Sequence, residues 1–250
     1  SPPEWEALHL AAWLHDCGKV VTPEHVINKA TKLETIYNRL HEVRMRFEVL
    51  KRDADISYWQ GLARGDDEVS LKEQLIQKHQ QLDDDFAFVA QLNIGDQAVT
   101  PAMVARLQQI SQHTWLRTLD DQLGLSWEEL QLRGDATALP VWEPLLADKP
   151  WHQQPYPNEE RINADNRWGI NMVQPHLKQQ LGELTNLSIE RGTLTTEERY
   201  IINAHVEKGE LGLKTMQGMY DWSKKDIEDF RLRASKPYLS YFNWNLPENE

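Results

Sequence analysis

A single cysteine, Cys17, in 250 residues leaves no internal disulfide to be made, which fits a reducing compartment. Long hydrophobic runs are absent too. No stretch approaches the roughly 20 apolar residues that a membrane helix needs, and mean hydropathy is −0.65. Positive charge is scarce: 27 Lys plus Arg against 39 Asp plus Glu leave a net charge of −12. Such a chain has no general attraction to duplex nucleic acid or an anionic lipid surface. No Gly-rich phosphate loop, Gly-x-Ser-x-Gly elbow or Cys-x-x-Cys pair occurs. These absences leave an acidic chain of one to two domains, expected to be cytoplasmic and without membrane insertion of its own. It opens Ser-Pro-Pro rather than Met. The expectation is a piece of a longer protein, whose remainder has room for a membrane anchor.

What is present is helix signal. Residues 4–15 are apolar at Trp5, Leu8, Ala11, Ala12 and Leu14, and Gly18 ends that helix. Thr22-Pro23-Glu24 predicts a helix start with Thr as cap. Over 35–55, Ile36, Leu40, Val43, Phe47, Leu50 and Ala54 fall at alternating steps of four and three, a narrow seam of coiled-coil type. Arg64-Gly65-Asp66-Asp67 reads as a turn, and Leu71, Leu75, Leu82, Phe86 and Val89 give a second helix. Together they predict an antiparallel hairpin, and residues 35–92 are the expected place for a homodimer contact or partner helices. Thr100-Pro101 opens another helix, and capping boxes at Ser126 to Glu129 and Thr195 to Glu198 open two more. Ser223 to Asp226 has the same pattern. Between Pro140 and Pro157 five prolines and two tryptophans break every period, predicting an extended connection. Alternating strand patterns are nearly absent, so the expected class is all-α.

The sharpest chemical motif is His15-Asp16-Cys17-Gly18-Lys19 at the end of an apolar helix. An imidazole and a carboxylate side by side suit one moderately hard or borderline divalent cation. A bound metal lowers the pKa of its water and makes hydroxide available near neutral pH. Lys19, a short turn away, is placed to meet a phosphate. Two ligands do not make a site, and by spacing alone a capping Asp beside an incidental His accounts for the pair as well. Cys17 reads as a small buried residue. His25, His41, His79 and His113 read as surface residues on helices. The acidic runs Asp66-Asp67-Glu68 and Asp83-Asp84-Asp85 read as solvated faces or turns.

Residues 8–34 (LHLAAWLHDCGKVVTPEHVINKATKLE) resemble the opening of the HD superfamily of metal-dependent phosphohydrolases, and most of all its HD-GYP branch. The likeness lies in an apolar helix ending in His-Asp-x-Gly-Lys, a Pro-led helix, and a Lys followed by Lys-Leu. Residues 186–206 (NLSIERGTLTTEERYIINAHV) resemble the next HD-GYP segment, where a Leu-Thr-x-Glu-Glu opening leads to a metal-ligand His, here His205. The resemblance implies an HD-type helical core in 1–34 and 173–250. Residues 35–172 would be a helical insertion with a Pro/Trp-rich connection. It further implies His15, Asp16 and His205 as ligands of a divalent Fe, Mn, Ni, Co or Zn ion, and Asp16 and Lys19 as catalytic. The implied substrate is a nucleotide, with cyclic di-GMP, a bacterial second messenger, as the branch's own. Three departures accompany it. No upstream ligand helix precedes His15, no His follows His205, and Gly218-Met219-Tyr220-Asp221 stands in place of Gly-Tyr-Pro. They leave a second reading open: an inactive HD-like module that senses a ligand or binds a partner protein.

Overall fold

A computed structural model describes residues 22–158, 161–162 and 172–204. Contacts divide the chain into two units. Pro23–Glu160 and Pro175–Arg199 make up one, and the remaining described residues belong to the other. In the latter, the Ile162 amide donates to Gln174 Oε1 at 3.0 Å, and Tyr200 and Ala204 are buried. Everything below concerns the former unless stated.

Helix α1 is Glu24–Ile27, with Pro23 rather than Thr22 at the cap position. It ends at Asn28 because the following residues turn: Glu34 Oε2 accepts from the Ala30 and Thr31 amides, both at 3.0 Å. This turn also corrects the predicted start of the long seam. Ile36 is 93% exposed, and helix α2 begins only at Leu40 and runs to Arg64. Gly65 then adopts φ 85°, a left-handed conformation open to glycine at little cost. Asp67 caps helix α3, Glu68–Ile94, by accepting from the Ser70 amide. Helix α4, Pro101–Ser111, is capped by Thr100 with Pro at its start. Helix α5, Trp127–Arg133, carries the expected Ser126–Glu129 capping box. Helix α6 is Glu183–Leu187, and a last helix, α7, is described over 196–204.

Four short strands join them. Strand β1 (Thr114–Arg117) pairs antiparallel with β2 (Val141–Pro144), and β3 (Gln153–Pro155) with β4 (Leu177–Gln180). The Pro-rich connection is therefore ordered as edge strands and one 3-10 turn at Pro150–His152. Helix still outweighs strand, 53% to 10% of the described residues, so the chain is predominantly α, consistent with an HD-type helical fold.

The core lies at the base of the α2–α3 hairpin. Leu40, Val43, Phe47 and Leu50 of α2 meet Leu82, Val89 and Leu92 of α3, with Leu107 and Ile110 of α4, Leu145, Leu146 and Leu187 closing the cluster. Phe47 and Phe86 stack edge to face at 5.4 Å. Beyond Leu50 the hairpin is held by polar pairs, Lys51 to Asp83 at 2.7 Å and His79 to Asp55 at 3.2 Å. Among the described residues no helix is long and apolar enough to cross a membrane.

Burial separates the two sides of α2 sharply: Val43 and Phe47 are 0% and 3% exposed, Met45 is 62% exposed. Val43→Asp or Phe47→Asp places an unpartnered carboxylate in that core and is expected to cost roughly 3–5 kcal/mol. Met45→Asp, on the same helix, is expected to melt like the parent. Equal melting temperatures for all three variants in a thermal scan would refute the seam.

Candidate functional site

His15, Asp16 and Lys19, with His9 and Cys17, lie outside the described residues, and so do His205 and the helices expected at 4–15 and after Ser223. Within the larger unit the structure describes part of the flank of each patch: 23–34, which follows the His-Asp pair, and 186–199, on the way to His205. These two flanks pack on each other.

Lys29 and Glu198 carry the contact. Lys29 follows α1 in a turn, and its Nζ donates to Glu198 Oε1 at 3.0 Å and Oε2 at 2.9 Å. A third bond goes to Asn186 Oδ1 at 3.2 Å. Asn186 is itself fixed, donating from Nδ2 to the Gln180 and Gly182 carbonyls at 3.0 and 2.7 Å. Glu198 stands in the first turn of α7 because it completes the Thr195 capping box: it accepts from the Thr195 amide at 2.8 Å, and its own amide donates to Thr195 Oγ1 at 3.3 Å. The Thr193 hydroxyl donates to the Lys29 carbonyl at 3.0 Å. The Lys29 side chain is 2% exposed. Burial lowers its pKa, and the adjacent Glu198 carboxylate opposes that shift.

Lys32 is the second tie. It is 0% exposed and donates to the Leu187 and Ile189 carbonyls at 3.1 and 2.8 Å. Both acceptors are neutral, so burial alone lowers its pKa, to about 8. The next residues are held by α3: the Lys32 amide donates to the Asn93 carbonyl and the Leu33 amide to Asn93 Oδ1, each at 2.8 Å. Farther along, Arg46 grips Glu183 through two bonds at 2.9 and 2.8 Å and the Leu145 carbonyl at 2.8 Å.

Several other histidines and acids among the described residues hold structure. His41 Nδ1 meets Arg44 at 2.7 Å. His113 lies just past the end of α4 rather than on a helix, 3.5 Å from Asp85. His152 is half-buried, its Nδ1 accepting from the Lys149 amide at 3.2 Å, and burial pushes its pKa down to about 4. Asp66 meets Arg64, Asp67 caps α3, Asp83 meets Lys51 and Asp85 meets Arg106. Among the described residues no three His, Cys, Asp or Glu side chains gather as a metal site. An open groove of about 910 Å³ runs past Arg191 and Arg199, yet Asp148, Glu190 and Glu197 also line it, so its charge selects no anion.

The pairing of Lys29 with Glu198 was not legible in the sequence. The residues are 169 apart, and Glu198 reads there only as a capping acid. Its one signal is that both fall inside the two quoted patches.

Lys32 makes stability pH-dependent. Its proton affinity is lower folded than unfolded, so between pH about 8 and about 10.5 the unfolded chain binds more protons and stability rises with pH. In urea titrations, the parent is expected to gain on the order of 1–3 kcal/mol over Lys32→Met between pH about 7.5 and about 10. A difference that stays constant across that window contradicts a charged, buried Lys32.

Residues 140–229 match the family model of the HD domain. The matched stretch contains the second patch and His205, whereas His15, Asp16 and Lys19 lie outside it. No curated protein and no solved structure matches the chain. The family match supports the HD superfamily, and metal-dependent phosphohydrolysis is the general activity that goes with that superfamily.

Proposed function

We propose that this chain is a metal-dependent phosphohydrolase of HD type that acts on a nucleotide, with cyclic di-GMP as the candidate, in a bacterial signalling protein. The observation that most supports the reading is the packing of the two flanks. The chain leaving His15-Asp16-Cys17-Gly18-Lys19 and the chain leading to His205 are tied together at Lys29 and Glu198, within a protein whose residues 140–229 match the HD domain. In this reading 1–34 and 173–250 make the HD core and 35–172 is inserted into it.

His15, Asp16 and His205 would hold the metal. Two imidazoles and one carboxylate are a donor set that suits Fe, Mn, Co, Ni or Zn. The ion, when bound, supplies Lewis acidity and an activated water. Lys19 would offset the negative charge that develops on the phosphoryl oxygens during hydrolysis. Asp16 would serve beside His15 as a metal ligand and in catalysis.

Purified protein reconstituted with Mn²⁺ or Fe²⁺ is expected to hydrolyse bis-(p-nitrophenyl) phosphate. Asp16→Ala and His205→Ala are each expected to lower kcat at least about a hundredfold, with metal content falling in parallel. Protein that holds no metal and shows no turnover after reconstitution refutes the hydrolase.

One observation favours the second reading, a non-catalytic module that binds a partner. Met45, Ile56 and Trp59 are 62%, 52% and 66% exposed, and with Val49 they recur at heptad-like steps on the side of α2 turned away from α3. If that stripe is the contact, for a homodimer or for partner helices, Trp59→Glu lowers the mass seen by sedimentation without lowering the melting temperature.

A further inference from the structure

We propose that the α2–α3 hairpin docks on a second copy of this chain, face to face and antiparallel, about a two-fold axis at the level of Ile56. The inference rests on the α2 stripe just described and not on the hydrolase reading.

Helix α3 carries a stripe of its own. Val69, Lys72, Ile76 and Asp83 fall at steps of three, four and seven, and Val69 and Ile76 are 66% and 57% exposed. On each helix the stripe lies roughly a third of a turn past the residues that meet the other helix, in the same rotational sense. In an antiparallel pair, equal rotations bring both stripes to one side. The body packs on the other side: Arg46 of α2 reaches Glu183 at 2.8 Å, and Arg106 of α4 reaches Asp85 at 3.3 Å and lies over the Phe88 ring. Trp59 and Ile76 are thus bare on a two-helix layer, which is half of a four-helix bundle.

The charges on this side say what completes it. The contacts of Lys51 with Asp83, Asp55 with His79 and Gly61 with Leu71 set residues 55–56 of α2 level with residues 77–78 of α3. Arg52 and Trp59 stand equally far to either side of that level, and so do Lys72 and Asp83. A two-fold axis crossing both helices there lays each helix on its own copy with the direction reversed. Ile56 then meets Ile56, Arg52 meets the ring of the other Trp59, and Lys72 meets the other Asp83. These are a cation–π contact and an ion pair, each made twice. Elsewhere a net charge of −12 repels a second copy, whereas this side carries both signs. From Met45 to the turn the face is about 30 Å long and 20 Å wide, so two copies cover roughly 1,200 Å², the low end of specific interfaces.

The test uses the whole chain. Sedimentation equilibrium at about 100 μM is expected to give nearly twice its mass of 29.2 kDa. Lys72→Glu and Asp83→Lys, both at exposed positions, are expected to melt like the parent and to raise the dissociation constant at least about tenfold. An equimolar mixture of the two is expected to restore the dimer, since each charge then meets its opposite. With Cys17→Ser, Ile56→Cys is expected to cross-link to its copy through a short bis-maleimide. Ser57→Cys, at the same level on the other side, is not. A monomeric parent overturns the proposal and leaves a foreign helix as the occupant of the stripe. A dimer that Trp59→Glu dissociates but the charge variants leave intact keeps the stripe and overturns this geometry. Cross-linking at 57 and not at 56 overturns it as well. The hydrolase reading is decided by turnover and metal content, which none of these readouts measures.

Discussion

The Lys29 ammonium, taken out of water, meets a carboxylate that stands 169 residues away in the chain. Leaving one member of such a pair buried and unpartnered costs about 3–5 kcal/mol. That penalty bars most alternative packings of the stretch around Lys29 on the stretch around Glu198. Arg46 and Glu183 repeat the device 137 residues apart, with the Glu183 side chain 3% exposed. Both carboxylates are also held by backbone amides, Glu198 by Thr195 and Glu183 by Ala147. The acids are thus fixed in place whether or not their cations arrive, which makes them the anchors and Lys29 and Arg46 the parts that dock.

The α2–α3 hairpin obeys a different rule along its length. At its base the heptad seam is apolar on both helices and joins the common core. Toward its tip the same helices meet through Lys51–Asp83 and His79–Asp55, pairs exposed enough that each contributes about 1 kcal/mol or less. Gly61 is buried against Leu71, whose methyl carbons stand 2.8 Å from where a side chain would begin, so the helices approach closely just before the turn. The tip is therefore held by shape and connectivity, and the base by burial.

Local signals in the sequence were legible where one residue sets the structure. Thr100, Ser126 and Thr195 cap the helices expected of them, because a side-chain acceptor at a helix start acts within three residues. The seam from Leu40 to Leu50 was legible for the same reason of short period. Ile36 was misplaced since periodicity does not register a turn that Glu34 imposes through backbone bonds. The four strands were missed because each is three or four residues long, and β1 and β2 carry a buried Arg117 and Glu143 in place of apolar alternation. Of the site, the sequence offered the ligands by resemblance, and the structure describes their flanks. The ties between those flanks were invisible beforehand, since a lysine and a glutamate far apart carry no spacing to read.

The distance between those flanks in sequence is itself explained by how they are tied. The entropy lost on closing a loop grows only with the logarithm of its length, about 0.6 kcal/mol for each doubling. A long excursion between residues 34 and 183 therefore adds little to the cost of joining its ends, provided something specific holds them. Four contacts do so in succession: Lys29 to Glu198, Lys32 to the Leu187 and Ile189 carbonyls, Arg39 to the Leu181 carbonyl at 2.8 Å, and Arg46 to Glu183. As the first partner advances from 29 through 32 to 39 the second retreats from 198 through 189 and 187 to 181, the order of an antiparallel closure, and Arg46 turns back to Glu183 beside it. Each of the first three contacts encloses a shorter loop than the one before, and Asn93 of α3 and Arg46 of α2 tie the base of the hairpin to the same flanks. Length between the two patches therefore costs little, but content does not vary freely there, because α2, α3 and α4 supply most of the core in which Leu33 and Leu187 are buried.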